Sequence, residues 1–100
     1  MIVLRFKLQC RPDQANAMNE AMRDVVAASR ALPGVIHFDV GRDVGDPNAF
    51  IATEVFEDKE ARERQEALPE VAKAMLLLQS ALTGPPEATV FHVSVAEPAM

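Results

Sequence analysis

Apolar and polar residues alternate along two neighbouring stretches of the chain, residues 35–43 and 49–56. The five residues between them, Val-Gly-Asp-Pro-Asn, include four that favour turns. An alternation with a period of two is typical of strands, so the region predicts an antiparallel hairpin whose strands each have two different faces. The first strand is expected to divide as follows: Ile36, Phe38 and Val40 on the core side, His37 and Asp39 on the other.

A strand and an amphipathic helix are predicted before this hairpin. Residues 2–9 alternate in the same way, which indicates a half-buried strand. Apolar residues then recur at helical spacing and predict a helix over roughly residues 13–31. Pro33 and Gly34 end it, because proline cannot continue a helix and glycine favours turns.

Two helical segments and a last strand are predicted after the hairpin. Asp58 suits the N-cap of the first segment. Acidic and basic residues four apart would add small stabilising pairs, Asp58 with Arg62 and Glu60 with Arg64. Pro69 breaks the helix, and a second segment runs on to Leu82. A strand is predicted over residues 88–95, and nothing in the tail at 97–100 would order it alone.

This order of elements predicts an α+β fold of the ferredoxin-like βαββαβ type, as a single domain over residues 1–96. Right-handed crossovers give a four-stranded antiparallel sheet in the order four, one, three, two, with the helices on one face. The other face is left bare, and the last helix carries surplus apolar residues, Leu76 and Leu77. Both features favour a homodimer formed through the sheet face.

Composition narrows the range of partners and compartments. The net charge is -5, and such a surface repels phosphate, so we expect neither nucleic acid nor an anionic membrane as a partner. Cys10 is the only cysteine, which excludes an intrachain disulfide and suits a reducing cytoplasm. No apolar run approaches the roughly 20 residues that cross a bilayer. We expect a cytoplasmic protein.

On these features the chain resembles the antibiotic biosynthesis monooxygenase domain, a family of small ferredoxin-like proteins that pair sheet to sheet as a dimeric α+β barrel. The resemblance covers nearly the whole chain in element order. It is most specific at Pro33-Gly34, Phe38, Arg42-Asp43, Asp46-Pro47, Phe50, Glu54 and Asp58. Members similar to this chain include cofactor-free oxygenases acting on quinols or aromatic polyketides, and haem-degrading relatives. The resemblance therefore implies a homodimer, a small aromatic ligand and no cofactor.

Three departures from the family pattern bear on chemistry. Phe56 stands where a tryptophan is common, and the chain has no Trp or Tyr. Many members carry a histidine on each side of a Ser-Pro break in the second helix, whereas this chain has Gln65 and Glu70 around Leu68-Pro69. The usual acid/base or iron-ligating residue is therefore missing from that helix. We expect neither haem chemistry nor a metal site.

His37 and Glu54 are the candidate catalytic residues. If the hairpin register places them opposite each other, the carboxylate would orient the imidazole and raise its basicity. Each also has a structural interpretation, His37 as a solvated strand residue and Glu54 as a hydrogen-bonding group at an interface. The two histidines would lie on opposite edge strands about 14 Å apart, too far to share a metal. Candidate substrate-binding residues are Phe38, Asp39, Phe56, Met75 and His92.

Two functions follow from the sequence. The first is a cofactor-independent monooxygenase that holds a small aromatic or quinol-type substrate in an apolar pocket between sheet and helices. The pocket would orient the substrate and supply a base that removes its phenolic proton. The alternative is a non-catalytic dimeric module of the same fold that binds a small ligand or serves as an accessory protein.

Overall fold

The computed structural model describes all residues from 1 to 100 and contains four strands and three α-helices. A short 3-10 helix at Pro12–Gln14 leads into the first of the helices. The elements are β1 at Ile2–Gln9, α1 at Ala15–Arg30, β2 at Val35–Asp43, β3 at Asp46–Phe56, α2 at Lys59–Glu66, α3 at Pro69–Ala81 and β4 at Glu87–His92.

The four strands form one antiparallel sheet in the order β2-β3-β1-β4. This is the predicted ferredoxin-like arrangement, and the prediction is confirmed. Residues at even positions of β1 face the helices, because alternate side chains of a strand point to opposite faces. The opposite sheet face has no helix on it.

Two clusters of buried side chains join the sheet to the helices. One surrounds Phe56 and includes Val25 of α1 and Ala74 of α3. The other surrounds Phe50 and includes Met18 of α1 and Ala81 of α3. Both phenylalanines are almost fully buried, and each contributes about 1.5–3 kcal/mol of hydrophobic stabilisation. The small buried residues of α3, Ala74 and Ala81, let this helix pack closely against α1.

Helix α2 begins at the predicted N-cap. The Asp58 carboxylate accepts a hydrogen bond from the Ala61 N–H at 2.9 Å. The extended Leu68 and the following Pro69 separate α2 from α3, as predicted. The predicted ion pairs of Asp58 and Glu60 are wrong, because Asp58 is used as the cap, Arg62 pairs with Glu66, and Arg64 donates to the Pro33 carbonyl.

A register shift near the start of β2 changes which side chains reach the core. Val35 pairs with Phe56 and His37 with Val55, so the intervening Ile36 has no partner on β3. Val35 packs on the core, while Ile36 is 41% exposed, so the prediction that Ile36 faces the core is wrong. Phe38 is buried as predicted.

The last strand and helix are more exposed than the core elements. β4 ends at His92, short of the predicted residue 95, and all its residues are exposed. On α3, Leu76 is 67% exposed, as predicted for the apolar surplus, and Met75 is 56% exposed. The other predicted surplus residue, Leu77, is half-buried and packs against the cluster around Phe50. None of the helices has the length and apolar character needed to span a bilayer.

Candidate functional site

A cavity of about 400 Å³ lies between the helix-facing side of the sheet and the helices. Thirteen of its 18 lining residues are hydrophobic. The sheet contributes Leu4, Phe6 and Leu8 of β1 together with Phe38, and α3 contributes Val71, Ala74, Met75 and Leu78. This volume and apolar wall suit a small flat organic molecule.

Four polar side chains interrupt the apolar wall, and they lie together. Glu54 projects from β3, where it pairs with Leu4 on one side and Phe38 on the other. The other three belong to the last turn and a half of α2: Arg62, Gln65 and Glu66. Spacings of three and four residues put these side chains on one helix face, directed at the cavity.

The Glu54 carboxyl is the most perturbed acid in the cavity. Its side chain is buried, with 5% of the residue exposed. Burial, with a smaller contribution from the negative charge of Glu66, raises its pKa to about 7, and the nearby Arg62 opposes this rise. A carboxyl with this pKa exchanges its proton near neutral pH, which is the property required of a general base or acid.

No protein group uses the hydrogen-bonding capacity of Glu54. Its carboxyl takes part in no hydrogen bond and no ion pair. Every side-chain oxygen that is completely buried in this protein has a hydrogen-bond partner, so the unpaired oxygens of Glu54 are not completely buried. The carboxyl oxygens are therefore accessible from the cavity that Glu54 lines. A ligand in the cavity can reach them directly.

Arg62 and Glu66 form an ion pair at the edge of the cavity. The Arg62 Nε lies 2.6 Å from Glu66 Oε1, and the two are four residues apart on α2. Their side chains are 31% and 53% exposed, in contrast to the buried Glu54. The pair therefore lies on the solvent side of the cavity. Because Glu66 neutralises much of the Arg62 charge, Arg62 lowers the pKa of Glu54 only a little.

Gln65 is held in place by a buried hydrogen bond. Its Nε2 donates to Ser29 Oγ at 3.1 Å, which joins α2 to α1 behind the cavity. Both residues are buried, with 3% and 0% exposed. The amide is thus a fixed, neutral polar group in the wall beside Glu54.

The structure brings together part of the predicted site. Glu54, Phe38 and Met75 line the cavity. Phe56 is completely buried in the neighbouring core cluster and does not reach the lining. Asp39 is exposed and forms an ion pair with Arg30 at 2.9 Å.

Neither histidine lines the cavity. The register pairs Phe38, not His37, with Glu54, so His37 lies opposite Val55 on the helix-free face of the sheet. The proposed contact between the His37 imidazole and Glu54 is therefore excluded within one chain. His92 pairs with Ile2 at the end of the edge strand β4, where it is exposed.

Three further polar residues of the cavity, Arg62, Gln65 and Glu66, were not predicted as site residues. The spacing of these three residues gives one helix face, which was the available signal. Cys10 is buried and lies outside the cavity; burial raises the pKa of its thiol, opposed by Arg42. The thiol is therefore a poor nucleophile at neutral pH.

One protein family matches the sequence. The family model described as antibiotic biosynthesis monooxygenase matches residues 1–76. No functionally curated protein matches the sequence significantly.

Solved structures share the fold. A proposed antibiotic biosynthesis monooxygenase from Deinococcus radiodurans is 23% identical, with a TM-score of 0.88 over 100% of this chain and 99% of that one. Another from Nitrosomonas europaea is 18% identical, with a TM-score of 0.88 over 95% and 100% of the two chains. A protein from Pseudomonas aeruginosa is 22% identical, with a TM-score of 0.84 over 94% of each chain. At these identities the structural likeness establishes the fold alone.

Proposed function

Because the chain belongs to the antibiotic biosynthesis monooxygenase family, we propose that it is a cofactor-independent monooxygenase. Its substrate is a small aromatic or quinol-type molecule held in the cavity beside Glu54. One observation carries this proposal: a buried carboxyl with a pKa of about 7 opens into an otherwise largely apolar cavity of about 400 Å³. The lining would hold a flat aromatic ring, and Glu54 is the only buried acid that reaches it.

In the proposed reaction, ionised Glu54 accepts the phenolic proton of the substrate. The resulting phenolate is electron rich and gives electrons to dioxygen. When the reacting carbon is a methylene conjugated to the phenolate, that carbon supplies all four electrons that dioxygen requires. One oxygen atom becomes a carbonyl on this carbon, and the other leaves as water with both methylene hydrogens. The protein contributes the base, the orientation of the ring and a largely apolar wall around it.

Oxygen uptake tests this proposal directly. The purified protein is incubated with a panel of dihydroxy-aromatics and hydroxylated methylene compounds, and oxygen is followed with an electrode. We expect uptake above the buffer rate for at least one compound, and a loss of about 100-fold or more in Glu54→Gln, because a missing general base costs that much. The rate should rise with pH through about 7 as Glu54 ionises.

Glu57→Gln is the matched control, because Glu57 is exposed, directly follows β3 and does not line the cavity. It should keep the full rate. No uptake across the panel, or equal rates in the wild type and Glu54→Gln, would contradict the proposed activity.

A second function is favoured by the absence of histidine from the cavity lining and by the fixed Gln65 amide. On this alternative, the protein is a dimeric module that binds a small aromatic ligand without turning it over. A ligand that raises the melting temperature in proportion to its concentration, with no oxygen uptake, would support this function over the first.

We also propose that the protein is a homodimer whose interface is the helix-free face of the sheet. The strand register places His37, Val55, Val3 and Phe91 in one row across this face. Three of the four are apolar, and Phe91 is 48% exposed in the single chain. A second copy would cover this row, because an exposed apolar surface of this kind favours association.

The cytoplasm is the compartment that we propose for this activity. The only cysteine, Cys10, is unpaired and buried. A fold that uses no disulfide is suited to a reducing compartment.

A further inference from the structure

A second cavity, of about 380 Å³, lies between α1 and the edge strand β2. We call it the arginine groove, because Arg23, Arg30 and Arg42 are among its ten lining residues. No acidic residue lines it, although the whole chain carries a net charge of -5. Three of the seven arginines thus face one small space in an otherwise acidic protein.

Two of these guanidinium groups are held by the fold. Arg30 Nε donates to the Phe38 carbonyl and its Nη2 to the Asp39 carboxylate, each at 2.9 Å. The Arg42 guanidinium lies over the Phe50 ring, 5.3 Å from its centre, with longer contacts to the first turn of α1. Each guanidinium has five N–H donors, so both keep donors for a ligand.

The third arginine has no partner. No hydrogen bond or ion pair involves Arg23, and its side chain is exposed at the groove. Arg23 and Arg30 are seven residues apart, which places them two turns apart on the same face of α1. A ligand between them would be reached by a fixed donor and by a mobile one.

The remaining wall of the groove is apolar. Met22 and Val26 of α1 and Val40 and Phe50 of the sheet contribute to it. Charged donors beside an apolar surface favour a ligand that has both an anionic group and an apolar body. The planar fork of arginine matches the two oxygens of a carboxylate, which forms paired hydrogen bonds with it.

We propose that the arginine groove is a binding site for a small organic carboxylate with an apolar body. The site is separate from the cavity at Glu54, although Met22, Val40 and Phe50 contribute to the walls of both. A single layer of side chains therefore divides the two sites. The proposal does not depend on the oxygenase activity.

A titration followed by amide NMR tests the site, with phenylacetate as the probe and phenylacetamide as its neutral analogue. Phenylacetate should shift the amide signals of Ala27 and Gly41 saturably, and phenylacetamide should bind at least tenfold more weakly. Arg23→Gln should weaken phenylacetate binding about tenfold, because it removes one charged donor. Binding should also weaken with added salt.

Lys73→Gln is the matched control, because it removes the same charge from an exposed position on α3 outside the groove. It should change the affinity less than twofold. Arg23 has no structural partner, so its substitution tests the site without threatening the fold; Arg42→Gln, at the packed Phe50, is a second variant expected to weaken binding.

Four results would overturn the proposal. Shifts confined to Ala52 and Ala74 would place the ligand in the cavity at Glu54. Equal effects of Lys73→Gln and Arg23→Gln would show attraction to charge without a site. Equal affinities for phenylacetamide and phenylacetate would show that the carboxylate is not recognised. Tighter binding of inorganic phosphate than of phenylacetate would show a general anion site to which the apolar wall contributes nothing.

Discussion

Glu54 shows how one side chain acquires chemistry from its surroundings. It stands on a strand between two apolar partners, Leu4 and Phe38, and its burial removes much of the water that would solvate its charge. The neutral form is favoured, and the pKa rises from 4.5 to about 7. The burial of Glu54 therefore lowers the free energy of unfolding once the carboxyl ionises, and the same burial gives the cavity a carboxyl that exchanges its proton near neutral pH.

This cost predicts a pH dependence of stability. The folded-state pKa lies above the unfolded value, so the protonated carboxyl favours the folded state below about pH 4.5, and this contribution is lost as the pH rises through about 7. At pH 8, Glu54→Gln should increase the free energy of unfolding by up to about 3 kcal/mol, since a glutamine has no charge to desolvate. Urea unfolding from pH 4 to pH 8 measures both effects.

Glu57→Gln provides the comparison, because this exposed glutamate carries no burial cost. Its unfolding free energy should follow that of the wild type at every pH. The difference in unfolding free energy between the wild type and Glu54→Gln should change between pH 5 and pH 8. If this difference is the same at both pH values, the Glu54 carboxyl ionises without a burial cost, which would contradict the proposed pKa.

Among the elements, the turn between α1 and β2 sets where the hairpin meets α2. Gly34 has a φ of +82°, a conformation that glycine adopts readily and other residues resist. A Cβ at this position would lie 2.6 Å from the Cβ of Ala61, which is completely buried in α2. The absence of a side chain at Gly34 therefore allows the close approach of turn and helix.

Gly34→Ala should destabilise the protein by about 1–3 kcal/mol, because it adds both backbone strain and overlap with a buried residue. Thermal unfolding should show a fall of several degrees in the melting temperature. Gly41→Ala is the control, since a Cβ there meets nothing within 4 Å, and its effect should stay within about 0.5 kcal/mol. Equal effects of the two substitutions would refute the proposed close packing.

The elements also show how far the sequence predicts the structure. Alternation, caps and breakers located the α-helices, the strands, the Asp58 cap and the break at Pro69, because these are local signals. The start of β3 was predicted three residues late, since the strand begins at Asp46 within the predicted turn. The register shift at Ile36 is not local, since it depends on how two strands pair. A shift by one residue moves a side chain to the other face, which is why Ile36 was misplaced. The face of His37 was predicted correctly, but its partner on β3 is Val55 and not Glu54.

The candidate site was predicted only in part for the same reason. Glu54 and Phe38 are paired on the helix-facing side of the sheet and Met75 lies on α3, and all three line the cavity. Arg62 and Glu66 reach the cavity because α2 packs against β2 and β3. The sequence of α2 alone does not predict how this helix is oriented on the sheet. The exposure of His37 and His92 likewise follows from strand order and packing.

At the level of the assembled protein, two exposed apolar surfaces compete as interfaces. One is the helix-free sheet face with Phe91, and the other is the outer side of α3 with Leu76. The sheet face offers a row that crosses all four strands, whereas α3 offers a narrower strip. The proposed dimer therefore uses the sheet.

Sedimentation velocity should give twice the 10.9 kDa chain mass for the wild type. Phe91→Lys should shift the protein to monomer, because a buried lysine at the proposed interface would lose its hydration without a partner. Leu76→Lys should leave the dimer intact. A monomeric wild type would contradict the proposed dimer, and dissociation only by Leu76→Lys would move the interface to α3.

The central claim is that a carboxyl in the cavity changes its charge near neutral pH, and a carbon-13 NMR titration of the side-chain carboxyl groups measures this directly. The Glu54 signal is assigned by its loss in Glu54→Gln. We predict one glutamate signal that titrates with a midpoint of about 7 and disappears in this variant. A Glu54 midpoint near 4.5, the ordinary value for a solvated glutamate, would contradict the claim and remove the proposed base.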